Sequence, residues 1–232
     1  MNRVALTRLM QLSSQALPIG GYSHSQGLES AIEQGVIRDE ASLQRWTLDC
    51  LEYCMGGFEI PCLLAMAAAW RARDGALASE LNDDYLATRE SAELRSATVQ
   101  MGHSLRALLI VLPDLPTEML DQLRAIENPS LPCAWSAAAS AWSIAPADAI
   151  IGYLWAWGEN QVLVAMKTLP LGQSAGQRVL LELGPRIARL AEAAAASAAD
   201  AESAGRPWSN FAPALAILSS QHETQYSRLF RS

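Results

Sequence analysis

The sequence predicts an all-α fold, a single-domain bundle of roughly eight to ten helices with a C-terminal docking tail. Apolar residues recur at helical spacing along most of the chain, and one such stripe contains Leu94, Ala97, Met101, Leu105, Leu108 and Leu112. No segment alternates apolar and polar residues in the manner of a half-buried strand. Hydrophobic residues occupy 50% of the 232 positions, which is enough to bury the core of one domain.

Proline and glycine residues mark the ends of the predicted helices. The breaks fall at Gly35, Gly56-Gly57, 113–116, 128–132, Pro146, 170–172 and 207–213. We expect a helical domain over residues 1–206, with residues 207–232 forming a connector and a partner-docking tail as part of the same domain family. The Ala-rich segment 191–204 favours helix but buries little, so we expect it to fray into a loose connector.

Polar residues indicate where some helices begin. Asp39 is placed to cap a helix that enters Ala41. Asn82 or Asp83 is placed to cap a long helix that continues to Leu112.

The charge balance limits the classes of partner. The formal net charge is −7 and the isoelectric point is about 5.0, whereas a nucleic-acid backbone or an anionic membrane requires a concentrated basic surface. The most apolar segment, 147–166, carries Asp148 and Glu159, which are costly in lipid, so it is predicted to be a buried helix. The first residues contain no secretory signal, and we therefore expect a cytoplasmic protein with no nucleic-acid or membrane partner.

The segment 11–29 is the most informative part of the chain, because it interrupts the apolar repeat with a shaped turn. Pro18 fixes its own φ and pushes the preceding residue into an extended conformation. Gly20 and Gly21 allow backbone angles or close approaches that a side chain would prevent. The sequence therefore specifies the geometry of a connection between two helices.

Polar and aromatic residues follow that turn. Ser23 and Gln26 fit a capping box for the next helix, over 26–34, which would place Tyr22 just outside it, free to pack or to project. A turn that only joins two helices accounts for the proline and glycines. It accounts less well for Tyr22, His24 and Glu29 together.

Three further blocks accompany this segment. Residues 89–95 read Arg-Glu-Ser-Ala-Glu-Leu-Arg, residues 167–173 read Lys-Thr-Leu-Pro-Leu-Gly-Gln, and residues 222–232 read His-Glu-Thr-Gln-Tyr-Ser-Arg-Leu-Phe-Arg-Ser. In this order the four blocks resemble the UreF family of urease accessory proteins, and the resemblance covers nearly the whole chain.

The resemblance implies a helical assembly factor, not an enzyme, that helps to load nickel into apo-urease. It implies UreD/UreH, the GTPase UreG and apo-urease as partners, and a homodimer within the complex. It also implies that this chain binds no cofactor stably, since nickel is handled by the assembled complex. The partner-binding positions that it suggests are Pro18, Gly20, Gly21, Tyr22, Ser25, Gly27, Glu29, Arg89, Glu90, Glu93, Arg95, Lys167, Pro170, Gly172, Gln173, His222, Glu223, Tyr226, Arg228, Leu229, Phe230 and Arg231.

Each block also has a purely structural interpretation. Lys167 ends an apolar helix, where a cation is favourable, although the resemblance suggests that it faces UreG. Residues 89–95 fit a solvated helix face with ion pairs such as Arg89 with Glu93, or a role in positioning the tail or a partner. The tail combines aromatic and arginine side chains, which are enriched at interfaces, but it could equally fold onto its own domain.

The sequence gives little sign of catalysis or of an intrinsic metal site. Cys50 and Cys54 share a helix face and could hold a soft metal, but all four cysteines lie in apolar patterns typical of core thiols. His222 and Glu223 suggest acid/base chemistry, yet adjacent helical residues diverge. Residues 170–177 lack the lysine and hydroxyl of a phosphate loop, so GTP chemistry belongs to a partner. No catalytic, cofactor-binding or metal-binding residue is predicted.

Three alternative functions remain open. The chain could activate UreG by inserting Lys167 or Arg228 into the nucleotide site, as an arginine finger does. It could be a helical scaffold unrelated to urease, which needs only the amphipathic stripes. It could also carry nickel transiently through Cys50, Cys54 or His222.

Overall fold

The computed structural model describes residues 2–198, 208–210 and 212–232, and in these residues the chain forms helices and no strand. The predicted all-α fold is confirmed. The α-helices are α1 Arg3–Leu12, α2 Leu28–Glu33, α3 Glu40–Asp49, α4 Ile60–Arg71, α5 Gly75–Ala87, α6 Ala92–Val111, α7 Thr117–Ala125, α8 Leu131–Ala141, α9 Pro146–Thr168, α10 Gln173–Ala198 and α11 Pro213–His222. A 3₁₀ turn spans Gly21–Ser23 and a π-helical stretch spans Cys50–Glu59. The predicted connector after residue 198 and the boundary at 206–207 lie outside the described residues.

Helix α9 lies at the centre of the bundle. It packs most extensively against α10 and also contacts α1, α2, α3, α4 and α8. Gly152 allows α1 to approach α9, because a Cβ atom at this position would overlap Leu9 and Ser13. Ile150 and Leu154 are fully buried, so the predicted buried helix over 147–166 is confirmed.

Helices α3 and α4 and the π-helical stretch between them form one helix, Glu40–Arg71. The predicted break at Gly56-Gly57 is therefore wrong. Gly57 instead permits a close approach, since its carbonyl accepts a hydrogen bond from Ser209 N at 3.1 Å and an added Cβ would lie 2.9 Å from Ser209 O. This helix is long and apolar enough to cross a membrane, but 61% of its apolar window is buried in the bundle, as in a core helix.

The predicted start of α3 is confirmed. The Asp39 carboxylate accepts a hydrogen bond from Ser42 N at 2.8 Å, and the Ser42 hydroxyl lies 3.1 Å from Asp39 N, which completes a capping box. Here the sequence signal is entirely local, so it could be interpreted without knowledge of the packing.

The long helix predicted from Asn82 or Asp83 to Leu112 is wrong. α5 ends before Thr88, and α6 begins after Ser91, whose hydroxyl accepts from the amide of the third helical residue at 3.1 Å. Asn82 lies inside α5 and is fully buried. Its side chain bonds to Asn128 O at 3.0 Å and Ser130 N at 2.8 Å, so it fastens the loop before α8 rather than capping a helix.

Candidate interaction site

The last residues of the predicted tail, 222–232, are called the tail from here on. They lie against the body of the protein and bring three of the sequence blocks together. Ser232 O accepts hydrogen bonds from Ser25 N at 2.5 Å and Gln26 N at 2.9 Å. The amide of Arg231 donates to Ser23 O at 2.8 Å. The tail therefore pairs with the segment after the glycine turn over consecutive residues.

This pairing explains why the capping box predicted for Ser23 and Gln26 is wrong. The amides of Ser25 and Gln26 are bound by the tail, and α2 begins later, after Gly27. Gly27 has φ 85° and provides no side-chain cap. A Cβ atom there would lie 3.0 Å from Leu215 Cδ1, so glycine is needed both for the backbone angle and for contact with α11.

Glu29 of α2 holds the tail by its main chain. Its carboxylate accepts hydrogen bonds from Leu229 N at 2.7 Å and from Phe230 N at 3.0 Å. The same carboxylate lies 3.0 Å from His222 Nε2. Glu29 is buried, and these donors satisfy it.

The start of α6 provides a second attachment. Glu93 contacts His222 Nδ1 at 2.6 Å and accepts from Arg228 Nη1 at 2.6 Å. The Glu223 carboxylate in turn accepts from Ala92 N at 2.8 Å, which places a negative charge at the positive end of the helix. The predicted ion pair between Arg89 and Glu93 is wrong, because Arg89 precedes α6 and points inwards.

Arg89 lies in a buried polar cluster. Its Nη1 is 3.0 Å from Glu59 Oε1, and its guanidinium lies 4.3 Å from the centroid of the Tyr85 ring. The hydroxyls of Tyr85 and Tyr153 donate to the Glu59 carboxylate at 2.7 and 2.9 Å. Burial raises the pKa of both tyrosines well above the usual value, and the charge of Glu59 adds to this effect. The structure thus places Arg89 in the interior rather than on a partner-binding surface.

Two other charged residues of the 89–95 block, Glu90 and Arg95, bind neighbouring segments of the chain. Glu90 accepts from Asn210 Nδ2 at 2.6 Å, and Asn210 also donates to Thr88 O at 3.2 Å. Arg95 is exposed, and its Nη1 donates to Leu86 O at 3.1 Å. This block therefore fixes the turn before α6 and the chain leading to α11.

A surface groove of about 400 Å³, here named the Lys167 groove, is lined by Tyr22, Ser23, Lys167, Leu229 and Phe230. Lys167 Nζ lies 5.7 Å from the centroid of the Phe230 ring, within range of a cation–π interaction. Tyr22 and Leu229 are 59% and 72% exposed. Three blocks that are distant in sequence thus form one rim that combines apolar surface with a cation.

The remaining predicted positions lie near these elements. Gly20 has φ 74°, and Pro18 is exposed in the same turn. Pro170 and Gly172 are exposed in the connection between α9 and α10, and Gln173 is exposed at the first position of α10. Tyr226 is fully exposed on the tail.

Two amide side chains that were not predicted as site residues orient the glycine turn. Asn160 Nδ2 donates to His24 O at 2.9 Å, and Gln161 Nε2 donates to Ser25 O at 3.3 Å. Both residues belong to α9 and are buried. Two adjacent amides in an apolar helix were a usable signal, because buried polar groups need partners.

All four cysteines lie among the described residues, where they are buried and form no disulfide. Burial raises the pKa of the Cys133 thiol to about 12. Cys50 and Cys54 line a pocket of about 130 Å³, together with Glu59 and Arg89. Among the described residues, no three His, Cys, Asp or Glu side chains form a cluster that could hold a metal ion.

Comparison with known proteins identifies relatives of this chain. The UreF family model matches residues 37–184. The urease accessory protein UreF of Azoarcus sp. (strain BH72) is 52% identical over 230 residues, covering 98% of this chain and 95% of that protein. The UreF of Dechloromonas aromatica (strain RCB) is 50% identical, with 98% and 97% covered, and that of Janthinobacterium sp. (strain Marseille) is 44% identical over the full length of both chains.

These matches place the chain among the urease accessory proteins. Within that class it belongs to the UreF family, as the four sequence blocks suggested. Membership of this family supports a role in the maturation of urease.

Proposed function

We propose that this protein is an adaptor in urease maturation, which links UreD/UreH, the GTPase UreG and apo-urease and couples GTP hydrolysis to the insertion of nickel. The observation that carries the proposal is the convergence of the sequence blocks on the tail and the Lys167 groove. Nickel is cargo of the assembled complex in this scheme. The work of the chain is to bind its partners in a defined arrangement.

The exposed part of the tail supports a docking role. Tyr226 is fully exposed and Leu229 is 72% exposed, whereas the neighbouring main chain is held by Glu29. A main chain that is already ordered loses little further conformational entropy when its side chains bind a partner. Aromatic and arginine residues also dominate the energetics of protein interfaces. This surface suits a protein partner with an apolar pocket.

Lys167 adds a charged element to the same surface. It is the single lysine of the chain, and it lies beside Leu229 and Tyr22 in the groove. A cation flanked by apolar side chains suits a partner surface that presents a carboxylate within an apolar rim. We assign this groove to UreG, and the tail beyond it to UreD/UreH.

The proposed coupling of GTP hydrolysis to nickel insertion follows from thermodynamic linkage between binding and conformation. An adaptor that binds one conformational state of its partners more tightly shifts them towards that state. Through such a shift, GTP hydrolysis by UreG changes the assembly that holds nickel and apo-urease. We further propose that the chain acts in the cytoplasm, as a homodimer within the complex and without turnover of its own.

The tail assignment can be tested without disturbing the fold. Cells that carry a urease gene cluster lacking this gene receive the wild-type chain, the double variant Tyr226→Ser/Leu229→Ser, or the control Val111→Ser/Leu181→Ser. Val111 and Leu181 are 74% and 73% exposed and lie on α6 and α10, so the control removes similar apolar surface elsewhere.

We expect the wild type and the control to restore urease activity and nickel content, and the tail variant to restore neither. The purified tail variant should remain folded and should fail to retain UreD/UreH, and it should also retain less UreG because Leu229 lines the Lys167 groove. Full restoration by the tail variant would exclude a docking role for Tyr226 and Leu229. Failure of the wild-type chain itself would exclude the maturation role.

A further inference from the structure

Cys50 and Cys54 carry two thiols four positions apart on the wall of one pocket. Both residues belong to the π-helical stretch Cys50–Glu59, and both line the pocket of about 130 Å³ described above. Their exposed fractions are 7% and 6%. In the described part of the chain neither thiol belongs to a disulfide. The fold therefore holds a pair of reduced thiols side by side in a buried place.

The π-helical backbone brings these two side chains closer together than an α-helix does. On an α-helix the Cβ atoms of residues four apart are separated by about 5–6 Å, whereas a disulfide requires about 3.5–4.5 Å between them. A π-helix hydrogen-bonds to the fifth residue along the chain, so it has more residues per turn and a smaller rise per residue. A disulfide between Cys50 and Cys54 therefore fits this stretch better than it fits a regular α-helix.

The two thiols also interact with each other and are chemically unequal. Hydrogen bonding between them lowers the pKa of Cys54, and the charge of Arg89 lowers it further. Burial and the charges of Glu59 and Glu90 oppose this decrease. The same hydrogen bond, together with burial, raises the pKa of Cys50 well above its usual value. Cys54 is therefore the more acidic of the two, and the thiolate is the form of cysteine that attacks oxidants.

The pocket gives a small oxidant a route to the thiols. Its lining includes Gln15, Tyr22 and Glu90, which are exposed, so the pocket reaches the protein surface. Its volume of about 130 Å³ exceeds the roughly 10–15 Å³ that one water molecule requires. Hydrogen peroxide is only slightly larger than water and fits this space, whereas a bulky oxidant such as a glutathione disulfide does not.

We propose that Cys50 and Cys54 are a peroxide-sensitive dithiol that closes reversibly to a disulfide within the helix. The Cys54 thiolate attacks one oxygen of hydrogen peroxide, the O–O bond breaks, and the leaving hydroxide takes up a proton, which leaves a sulfenic acid on Cys54. The Cys50 sulfur then attacks the Cys54 sulfur, the S–O bond breaks, and the Cys50 proton leaves with the hydroxyl group as water. In total the thiols lose two electrons and two protons, and one peroxide becomes two waters.

The closed disulfide would hold the stretch in its π-helical form. Relaxation to a regular α-helix would move the two Cβ atoms apart, and the S–S bond opposes that movement. A thiol reductant reopens the pair by thiol–disulfide exchange. Cytosolic disulfides of this transient kind are typical of redox-sensing sites. The proposal concerns the isolated chain and does not depend on the identity of any partner.

The test treats the reduced full-length protein with hydrogen peroxide, in the presence of a chelator that prevents metal-catalysed oxidation. Mass spectrometry of proteolytic fragments distinguishes a disulfide, which removes two hydrogens, from sulfinic and sulfonic acids, which add oxygen. Circular dichroism at each time point shows that the chain stays folded. Cys50→Ser lacks the thiol that closes the disulfide. Cys133→Ser is the matched control, because Cys133 is fully buried and its pKa is raised to about 12.

We expect the wild type and Cys133→Ser to form the disulfide between Cys50 and Cys54. In the wild type this reaction should be at least about tenfold faster than oxidation of Cys133 in the same sample. Dithiothreitol should restore both thiols. In Cys50→Ser the oxidation of Cys54 should stop at the sulfenic acid, so dimedone should label Cys54 strongly in this variant and weakly in the wild type.

Three results would overturn the proposal. The first is a folded wild-type chain in which Cys50 and Cys54 stay reduced while free cysteine in the same solution is oxidised. The second is oxidation of the wild type that yields sulfinic or sulfonic acids, or disulfides with other cysteines, in place of the expected pair. The third is equal dimedone labelling of Cys54 in the wild type and in Cys50→Ser. The first two need only the wild type, so they remain decisive even if Cys50→Ser does not fold.

Discussion

The guanidinium Nη1 of Arg89 lies 3.0 Å from Oε1 of Glu59 inside the bundle, where the two side chains are only 9% and 8% exposed. The pair joins the turn after α5 to the helix over 40–71. The tyrosine that donates to the second Glu59 oxygen belongs to α9, so the cluster connects three parts of the fold. Arg89, the first residue of the 89–95 block, therefore lies in the interior. There it fixes the turn that leads into α6, the helix that carries Glu93.

Replacing Arg89 by methionine should destabilise the protein by about 3–5 kcal/mol, because it leaves the buried Glu59 carboxylate without a counter-charge. The control is Arg73→Met, since Arg73 pairs with Glu118 at the surface, where the side chains are 76% and 59% exposed. That change should cost less than about 1 kcal/mol. Urea unfolding measures both values, and equal effects would contradict the proposed importance of the buried pair.

Substitution by alanine should lower the stability strongly at one glycine and hardly at all at another. In Gly102→Ala the new Cβ overlaps the carbonyl of Pro129, which belongs to the loop that Asn82 fastens before α8, so we expect a loss of about 3 kcal/mol or more. Gly172 has no atom within 4 Å of an added Cβ, so Gly172→Ala should change the free energy of unfolding by less than about 1 kcal/mol. Thermal unfolding measures the stability of both variants against the wild type. A tolerated Gly102→Ala would show that this loop is free to move.

Acidification should destabilise the protein through His24. Burial, assisted by the charge of Arg231, lowers the pKa of His24 from 6.5 to about 4. The unfolded chain therefore binds this proton at a higher pH than the folded chain. The contribution of neutral His24 is complete above about pH 6.5 and is lost as the pH falls towards about 4, by about 2–3 kcal/mol. In His24→Gln this part of the pH dependence should be missing from unfolding curves. Identical pH profiles for both proteins would contradict the assignment.

Removing the charge of Lys167 should impair partner binding rather than folding. Its contact with the Phe230 ring is worth about 0.5–1 kcal/mol, so Lys167→Ala should unfold close to the wild type. We expect retention of UreG by the complex to fall in Lys167→Ala and to persist in Lys167→Arg, which keeps a cation over the ring. Unchanged UreG binding by Lys167→Ala would remove this residue from the interface.

The Lys167→Ala variant also distinguishes the adaptor hypothesis from the GTPase-activator hypothesis. Arg228 is held by Glu93 at 2.6 Å, so using it as an arginine finger would break this pair. The activator hypothesis therefore depends mainly on Lys167. It requires UreG turnover to rise several-fold on addition of the wild-type chain and not on addition of Lys167→Ala. A GTPase assay that shows no stimulation by the wild type would exclude it.

Much of the fold could be predicted because its signals lie within one or two helical turns. Asp39 caps α3 through a residue three positions away, and Lys167 lies in the last turn of α9. The incorrect predictions share a cause. Gly56-Gly57 indicated a break, but the approach of Ser209 requires glycine inside a continuous helix. The local sequence contains no information about that approach.

The candidate site shows the same difference between features that local sequence predicts and features that depend on packing. The motif blocks identified Glu29, Glu93 and His222 as notable, but helical spacing suggested the wrong ionic partner for Glu93. His222 and Glu29 are separated by 193 positions, and only the packing of α11 against α2 and α6 brings them together. Glu59 was not singled out at all, because a single glutamate in an apolar helix gives no indication of its distant partners.

The sequence by itself determined the helical class, the positions of several helix ends and the family. These follow from patterns that act over three or four residues and from the order of the four blocks. Only the tertiary structure decided that Arg89 points inwards, that the tail pairs with residues 23–26, and that Lys167 shares a groove with Leu229. The physical reason is that burial and long-range hydrogen bonds form between segments far apart in the chain, so their geometry is set by how the helices pack and not by the local sequence.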